Sequence, residues 1–336
     1  KKIVSLLLVL TLILSAFSLA GCSDKSDGEG EGLTVCVVVS SAFGDKSFND
    51  SAKEGADKLK EDYGVTVKTI ECQQENFKQR MMEAAEESDV VVPVGWEFYE
   101  ISDVAKEYPD TKFIWVDNPA EGIEDLPNVL CILYAQNEGS FLAGYIAASM
   151  SETGVVGAVG GEDNDTINDF LIGYKEGAQY ANPDIKVVTN YANTYEDPAK
   201  GKECALALNS QGADVIFAVA GNTGNGVFAA AKEKGFYVIG VDQDQKLSAP
   251  EYDEQIICSM KKEVGTSVYD TVKALIEDDT WDGGRIWTAD MATGYVSMAY
   301  GDENSTQQVS DDLKKATDDI QNKIVAGEIT VSTARK

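Results

Sequence analysis

"ADVIFAVAGNTGNGVFAAAKEKGFYVIGVDQ", residues 213–243, runs from an apolar stretch through a loop of Gly and Asn into a helix-like stretch, then a second apolar stretch and an aspartate. The chain holds a second copy of this plan, "SDVVVPVGWEFYEISDVAKEYPDTKFIWVDN", residues 88–118. In both, 28 positions separate the opening aspartate from the closing one, Asp89 to Asp117 and Asp214 to Asp242. Upstream, "KEGADKLKEDYGVTVKTI" at 53–70 matches "KEGAQYANPDIKVVTNY" at 175–191, and "SFND" at 47–50 matches "TIND" at 166–169. Two βαβαβ units, about 125 residues apart, account for the pattern.

Strands alternating with helices predict parallel sheets with helices on both faces, an α/β, doubly wound architecture. In such sheets ligands bind beyond the carboxyl ends of the strands. The loops expected there include "SSAFGDKSFND", "GWEF", "DNPAEG", "GGEDNDTIND", "GNTGNG" and "DQDQ". Two lobes facing each other would line one cleft from both sides, a shape suited to clasping a small molecule. A glycine-rich turn from strand to helix also raises the question of a phosphate cradle. The glycines of "GNTGNG" read G-x-x-G-x-G, not the dinucleotide order, and no Lys-Ser/Thr pair follows them. Asp242 stands near the spacing of a ribose-reading acid, a single coincidence.

The formal net charge of −29 repels nucleic acid and anionic lipid and disfavours a polyanionic ligand, though acidity also serves plain solubility. Hydrophobic residues make up 43% of the chain, enough for a sizeable core. The chain contains no histidine, the usual general base and a preferred metal ligand. Cys36, Cys72, Cys131, Cys204 and Cys258 fit no metal spacing and read as buried, inert thiols. Neither a metal nor a cofactor is expected.

The first residues carry secretory grammar: Lys1 and Lys2, the short apolar run "IVSLLLVLTLILSAF", then "SLAGC". "LAGC" resembles the bacterial lipobox, which makes residues 1–21 a lipoprotein signal peptide and Cys22 the lipidated residue. Residues 22–32, polar and glycine-rich, read as a flexible tether.

With these loops in view the chain resembles the basic membrane protein family, lipoproteins that are substrate-binding components of ABC importers for purine nucleosides. The matching segments are "GDKSFNDSAKEG" (44–55), "FLAGYIAA" (141–148), "YEDPAKGKE" (195–203), the 212–235 glycine loop, "VIGVDQDQ" (238–245) and "CSMKK" (258–262). The resemblance implies the type I periplasmic-binding fold, whose chain crosses between lobes three times. Lobe one would then hold 33–135 with about 262–290, and lobe two 136–261 with about 291–336. It also implies a permease partner, a monomer, and a location on the extracytoplasmic face of the membrane, held by the lipid anchor.

On this reading Gly221 and Asn222 approach a nucleoside through backbone that no Cβ obstructs. Asp242, leaving a strand end, would accept both hydroxyls of a ribose diol, with Asp244 a helix cap. Lys261, in the place of the family's S-x-x-K lysine, would steady Asp242 or donate to the ligand, with Lys262 facing the other way. Asn49 would read a purine edge; Asp45 is as suited to capping as to ligand contact. Phe43, Trp96 and Tyr195 are the stacking candidates, Phe48 and Phe170 read as core, and Asp117 is the lobe-one counterpart of Asp242. Tyr195 stands where the family usually has phenylalanine. The expected function is capture of guanosine, inosine or adenosine without catalysis. The alternatives are a sugar or small signal on the same fold, or a secreted nucleoside-processing enzyme.

Overall fold

The computed structural model describes residues 32–72, 76–118 and 122–335, so the signal-like segment and Cys22 lie outside the described residues. Twelve strands and ten α-helices follow in order, in two runs of like plan. The first is β1 (Thr34–Val39), α1 (Phe48–Tyr63), β2 (Thr66–Glu71), α2 (Phe77–Glu86), β3 (Val90–Val94), α3 (Ile101–Glu107), β4 (Lys112–Val116) and β5 (Val129–Tyr134). After α4 (Gln136–Met150) comes the second: β6 (Val155–Gly160), α5 (Asp165–Ala181), β7 (Lys186–Tyr191), α6 (Pro198–Asn209), β8 (Val215–Val219), α7 (Gly224–Lys234), β9 (Tyr237–Asp242), α8 (Gln245–Ser248) and β10 (Ile256–Lys262). The chain closes with α9 (Val264–Asp278), β11 (Arg285–Ala289), β12 (Val296–Ala299) and α10 (Asp311–Val325).

The strands form two six-stranded sheets, ordered β11-β5-β4-β3-β1-β2 and β12-β10-β9-β8-β6-β7. The two orders correspond strand for strand, so the sequence duplication is a duplication of topology. All pairings in the first sheet are parallel; in the second, only β12 runs antiparallel, against β10. Central strands such as β3 and β8 are buried along their whole length, as continuous apolar runs require when helices cover both faces. The edge strands β2 and β7 carry Lys, Thr, Glu or Asn and remain partly exposed, which blunts a free edge against aggregation. Each sheet with its helices is one α/β lobe.

The lobes share an apolar core that runs from Val37 and Ile132 through Phe141 and Ile146 of α4 to Val156 and Phe217. Helix α4 packs on α5, α10, β10 and β12, so it has little polar face to offer and most of its residues are buried. Full burial of a side chain such as Leu142 or Ile146 stabilises by about 1.5–3 kcal/mol. In the first lobe α1 and α9 approach until a Cβ placed on Gly55 would lie 2.1 Å from the Gly265 carbonyl oxygen. Only glycine permits that contact.

Candidate functional site

The strand ends of both lobes converge on a cavity of about 400 Å³. Of the residues expected there, Asp45, Asn49, Trp96, Asp117, Tyr195, Gly221, Asn222 and Asp242 line it. Phe43 and Lys261 do not. Phe43 packs partly buried against the core, its backbone N–H donating to Glu71 Oε1 at 2.9 Å. Lys261 turns aside to pair with Glu263. The cation in the cavity is Lys262, opposite in parity to the expected residue. Counted from Ser259, S-x-x-K ends on Lys262, not Lys261.

Asp117, just past β4, and Asp242, the last residue of β9, occupy equivalent points of the duplication. Both have left-handed backbones, φ 76° and 64°, and both are 6% exposed. Such a conformation is strained for a residue with a Cβ and tends to persist where it aims a side chain at a site. Lys262 Nζ lies 2.6 Å from Asp117 Oδ2, and Arg335 Nη2 lies 3.1 Å from Oδ1. Burial pushes the Asp117 carboxyl upward, but these two cations outweigh it and hold it below the ordinary carboxylate range. Asp242 differs: burial dominates, with partial offset from Lys262 and Ser47, and its carboxyl sits above the ordinary value. Ser47 Oγ donates to Asp242 Oδ2 at 2.5 Å. The Lys262 ammonium also lies 4.5 Å from the ring centroid of Phe48, 5.2 Å from Tyr134 and 5.3 Å from Phe170. Phe48 and Phe170, expected only as core, therefore also wall the cavity.

Asp45 is a cap that lines the cavity. Its carboxylate accepts from the backbone N–H groups of Ser47 (3.0 Å), Asn49 (3.0 Å) and Asp50 (3.1 Å) at the start of α1. Burial nevertheless pushes its carboxyl up to about 7. Asn49 Nδ2 donates to Ser41 Oγ at 2.9 Å and to the Ala42 carbonyl at 3.0 Å, a loop-holding role. Asp244 caps α8, donated to by Lys246 N.

Tyr195 has its hydroxyl satisfied by Asn164 Nδ2 at 3.0 Å, which leaves the ring as its contribution to the cavity. The glycine loop does not resemble a phosphate cradle. Thr223 N donates to the Tyr195 carbonyl at 3.0 Å, and Gly224 N is bonded to Asn222 and Gly221 carbonyls. Six carboxylates line the cavity, from Asp45, Glu97, Asp117, Glu162, Glu196 and Asp242, against the single cation Lys262. That balance repels a phosphate.

Three contributors gave little signal in sequence. Arg335 reaches Asp117 from the C-terminal segment and lies 3.7 Å from Asp169 of α5, so one guanidinium spans both lobes. Lys46, with Asp45 and Ser47, docks the first-lobe loop on the second lobe. Its ammonium meets Glu251 at 2.5 Å and its carbonyl accepts from Gln245 Nε2 at 2.8 Å. Glu97 lies half-buried on a short turn after β3, a placement no periodicity announces. Among the described residues no group of His, Cys, Asp or Glu is arranged to hold a metal, and burial raises the thiols of Cys36 and Cys72 to about 11 and 12. No helix among the described residues is long and apolar enough to cross a membrane.

Two doubly wound lobes around one acid-lined, ring-walled cavity define a solute-binding protein of the periplasmic-binding type. The family described as "ABC transporter substrate-binding protein PnrA-like" matches residues 33–335, and the chain belongs to that family. It is 31% identical to Basic membrane protein A of Borreliella burgdorferi over 98% of this chain and 96% of that one. It is 35% identical to Basic membrane protein D of the same species over 80% and 79%. Among solved structures, an ABC transporter solute-binding protein from Aeropyrum pernix K1 superposes with a TM-score of 0.80 at 28% identity, covering 90% of this chain and 94% of that chain. A periplasmic solute-binding protein from Actinobacillus succinogenes 130z with bound D-allose reaches 0.63 at 14% identity, a likeness of fold alone.

Proposed function

We propose that the protein captures a purine nucleoside between its lobes and delivers it to an ABC permease without transforming it. Cys22 would carry the lipid that holds it, as a monomer, on the extracytoplasmic face of the membrane. The observation that carries this reading is the pairing of two unlike features in one cavity. Asp242, with the Ser47 hydroxyl and Lys262 beside it, is a charged acceptor and donor set suited to a ribose diol. Aromatic walls from Phe48, Phe77, Trp96, Phe170 and Tyr195 suit a flat base. A cavity of about 400 Å³ falls in the range of small-ligand sites.

The mechanism follows from placement. Asp117, Trp96 and Asn49 belong to one lobe, Asp242, Tyr195 and Asn222 to the other, so a ligand touching both stabilises the closed arrangement. The carboxylates exclude nucleotides, and the rings disfavour a bare sugar. Thermal unfolding of the protein beginning at Ser23, against nucleosides, bases, nucleotides and sugars, tests this. A nucleoside at ~100 times its dissociation constant adds about 2.7 kcal/mol, raising Tm by roughly 5 °C or more. Shifts with nucleosides but not with nucleotides or ribose support the proposal; shifts with sugars alone, or with nothing, sink it.

A further inference from the structure

The cavity has two chemically different ends. At one, Asp242 lies with Asp117 and Lys262, whose ammonium pairs with Asp117. Glu97 follows Trp96 on the short turn after β3, so its carboxylate belongs to the ring-lined part of the cavity. It faces Glu162 from the opposite lobe, and no lysine or arginine among the described residues forms an ion pair with it.

The Glu97 carboxylate is also positioned. It folds back over Gly95, where φ is +121° and an added Cβ would lie 2.4 Å from Glu97 Oε2 and 3.4 Å from Ser40 Oγ. The Ser40 hydroxyl lies on the same side of Gly95 as that carboxylate. Only a residue without a side chain at 95 leaves room for this placement. An acceptor without a cation, fixed beside a ring, asks its ligand for N–H donors.

Resting on the nucleoside reading above, we infer that Glu97 is a specificity-determining residue that accepts from the N1–H and 2-amino groups of guanine, making guanosine the preferred ligand. Guanine presents those two donors side by side, matching the two oxygens of a carboxylate. Hypoxanthine presents N1–H alone. Adenine presents an acceptor at N1, which a carboxylate repels. The order is therefore guanosine, inosine, adenosine. The 2-amino group should be worth about tenfold or more, the usual size of a hydrogen bond to a charged acceptor.

The test is calorimetric titration of guanosine, inosine and adenosine into wild type, Glu97→Gln and Glu97→Ala, with unfolding temperatures as a check on folding. Wild type should prefer guanosine to inosine about tenfold or more. Both variants should bring that ratio close to one, and Glu97→Gln, whose amide can donate to N1 and accept from the 6-amino group, should bind adenosine more tightly than wild type does. A wild-type ratio near one, or a ratio that survives both substitutions, overturns the assignment of Glu97 while leaving a nucleoside receptor. Absence of binding by all three nucleosides overturns both.

Discussion

Lys262 lies among charges and rings that fix its role by contact, whereas Lys261, one position earlier, pairs with Glu263. Removing one partner of a buried ion pair typically costs about 3–5 kcal/mol, so Lys262→Met should lower Tm markedly and weaken ligand binding more than tenfold. Lys261→Met should change neither by much, since its half-buried pair with Glu263 lies outside the cavity and such a pair near the surface is worth on the order of 1 kcal/mol. Equal effects in the two variants would contradict the parity seen in β10. The acids divide by the sign of their shifts. Asp117 is held low by Lys262 and Arg335, so its contribution is present above the ordinary carboxylate pKa and is lost as pH falls through its folded value. Asp117→Asn should therefore reduce stability at neutral pH and flatten the acid limb of an unfolding-versus-pH curve. Glu97 goes the other way, pushed up to about 6 first by burial, then by Glu162 and Asp117, with its own backbone N–H and Ser40 opposing. Guanosine affinity should accordingly fall as pH drops through about 6, as the acceptor becomes a neutral acid.

At the scale of elements, helix pairs meet through backbone at glycines. A Cβ on Gly177 of α5 would lie 1.8 Å from the Phe141 carbonyl oxygen of α4, where only a shift of the helix could make room. Gly177→Ala should cost about 1–3 kcal/mol, read as a fall in Tm; a neutral result would show that α4 and α5 separate easily. The architecture was legible because duplication and apolar runs specify strand order twice over: β3, β4, β8 and β9 all follow from the two segments at 88–118 and 213–243. Most of the cavity was legible for the same reason, since the residue after each strand end must face it. What escaped depends on distances that local pattern does not encode. Nothing in "STARK" marks Arg335 as the partner of Asp117, 218 positions away. Lys261 and Lys262 are neighbours in a strand, where one residue of parity decides which of them faces the cavity. Apolar residues entering helices, such as Phe48 and Phe170, usually serve the core; here the same rings also wall the cavity.

For the whole molecule, the contacts that bridge the lobes around the cavity include Lys262 to Asp117, Lys46 to Glu251, Ser47 to Asp242, and Arg335 between Asp117 and Asp169. All depend on the relative placement of the two sheets, so ligand binding and closure are linked. Arg335→Ala should weaken nucleoside binding and enlarge the radius of gyration of the unliganded protein in small-angle scattering; Arg335→Lys should restore part of both. Unchanged scattering and affinity would remove Arg335 from the account. The central claim is that Asp242 and its surroundings grip a purine nucleoside. The most direct test is calorimetric titration of guanosine into wild type and Asp242→Asn, an isosteric change that removes the charge. The account predicts saturable one-to-one binding to wild type and at least a hundredfold loss in a variant that still unfolds cooperatively. Equal affinity in both proteins, or no heat with wild type, would contradict it.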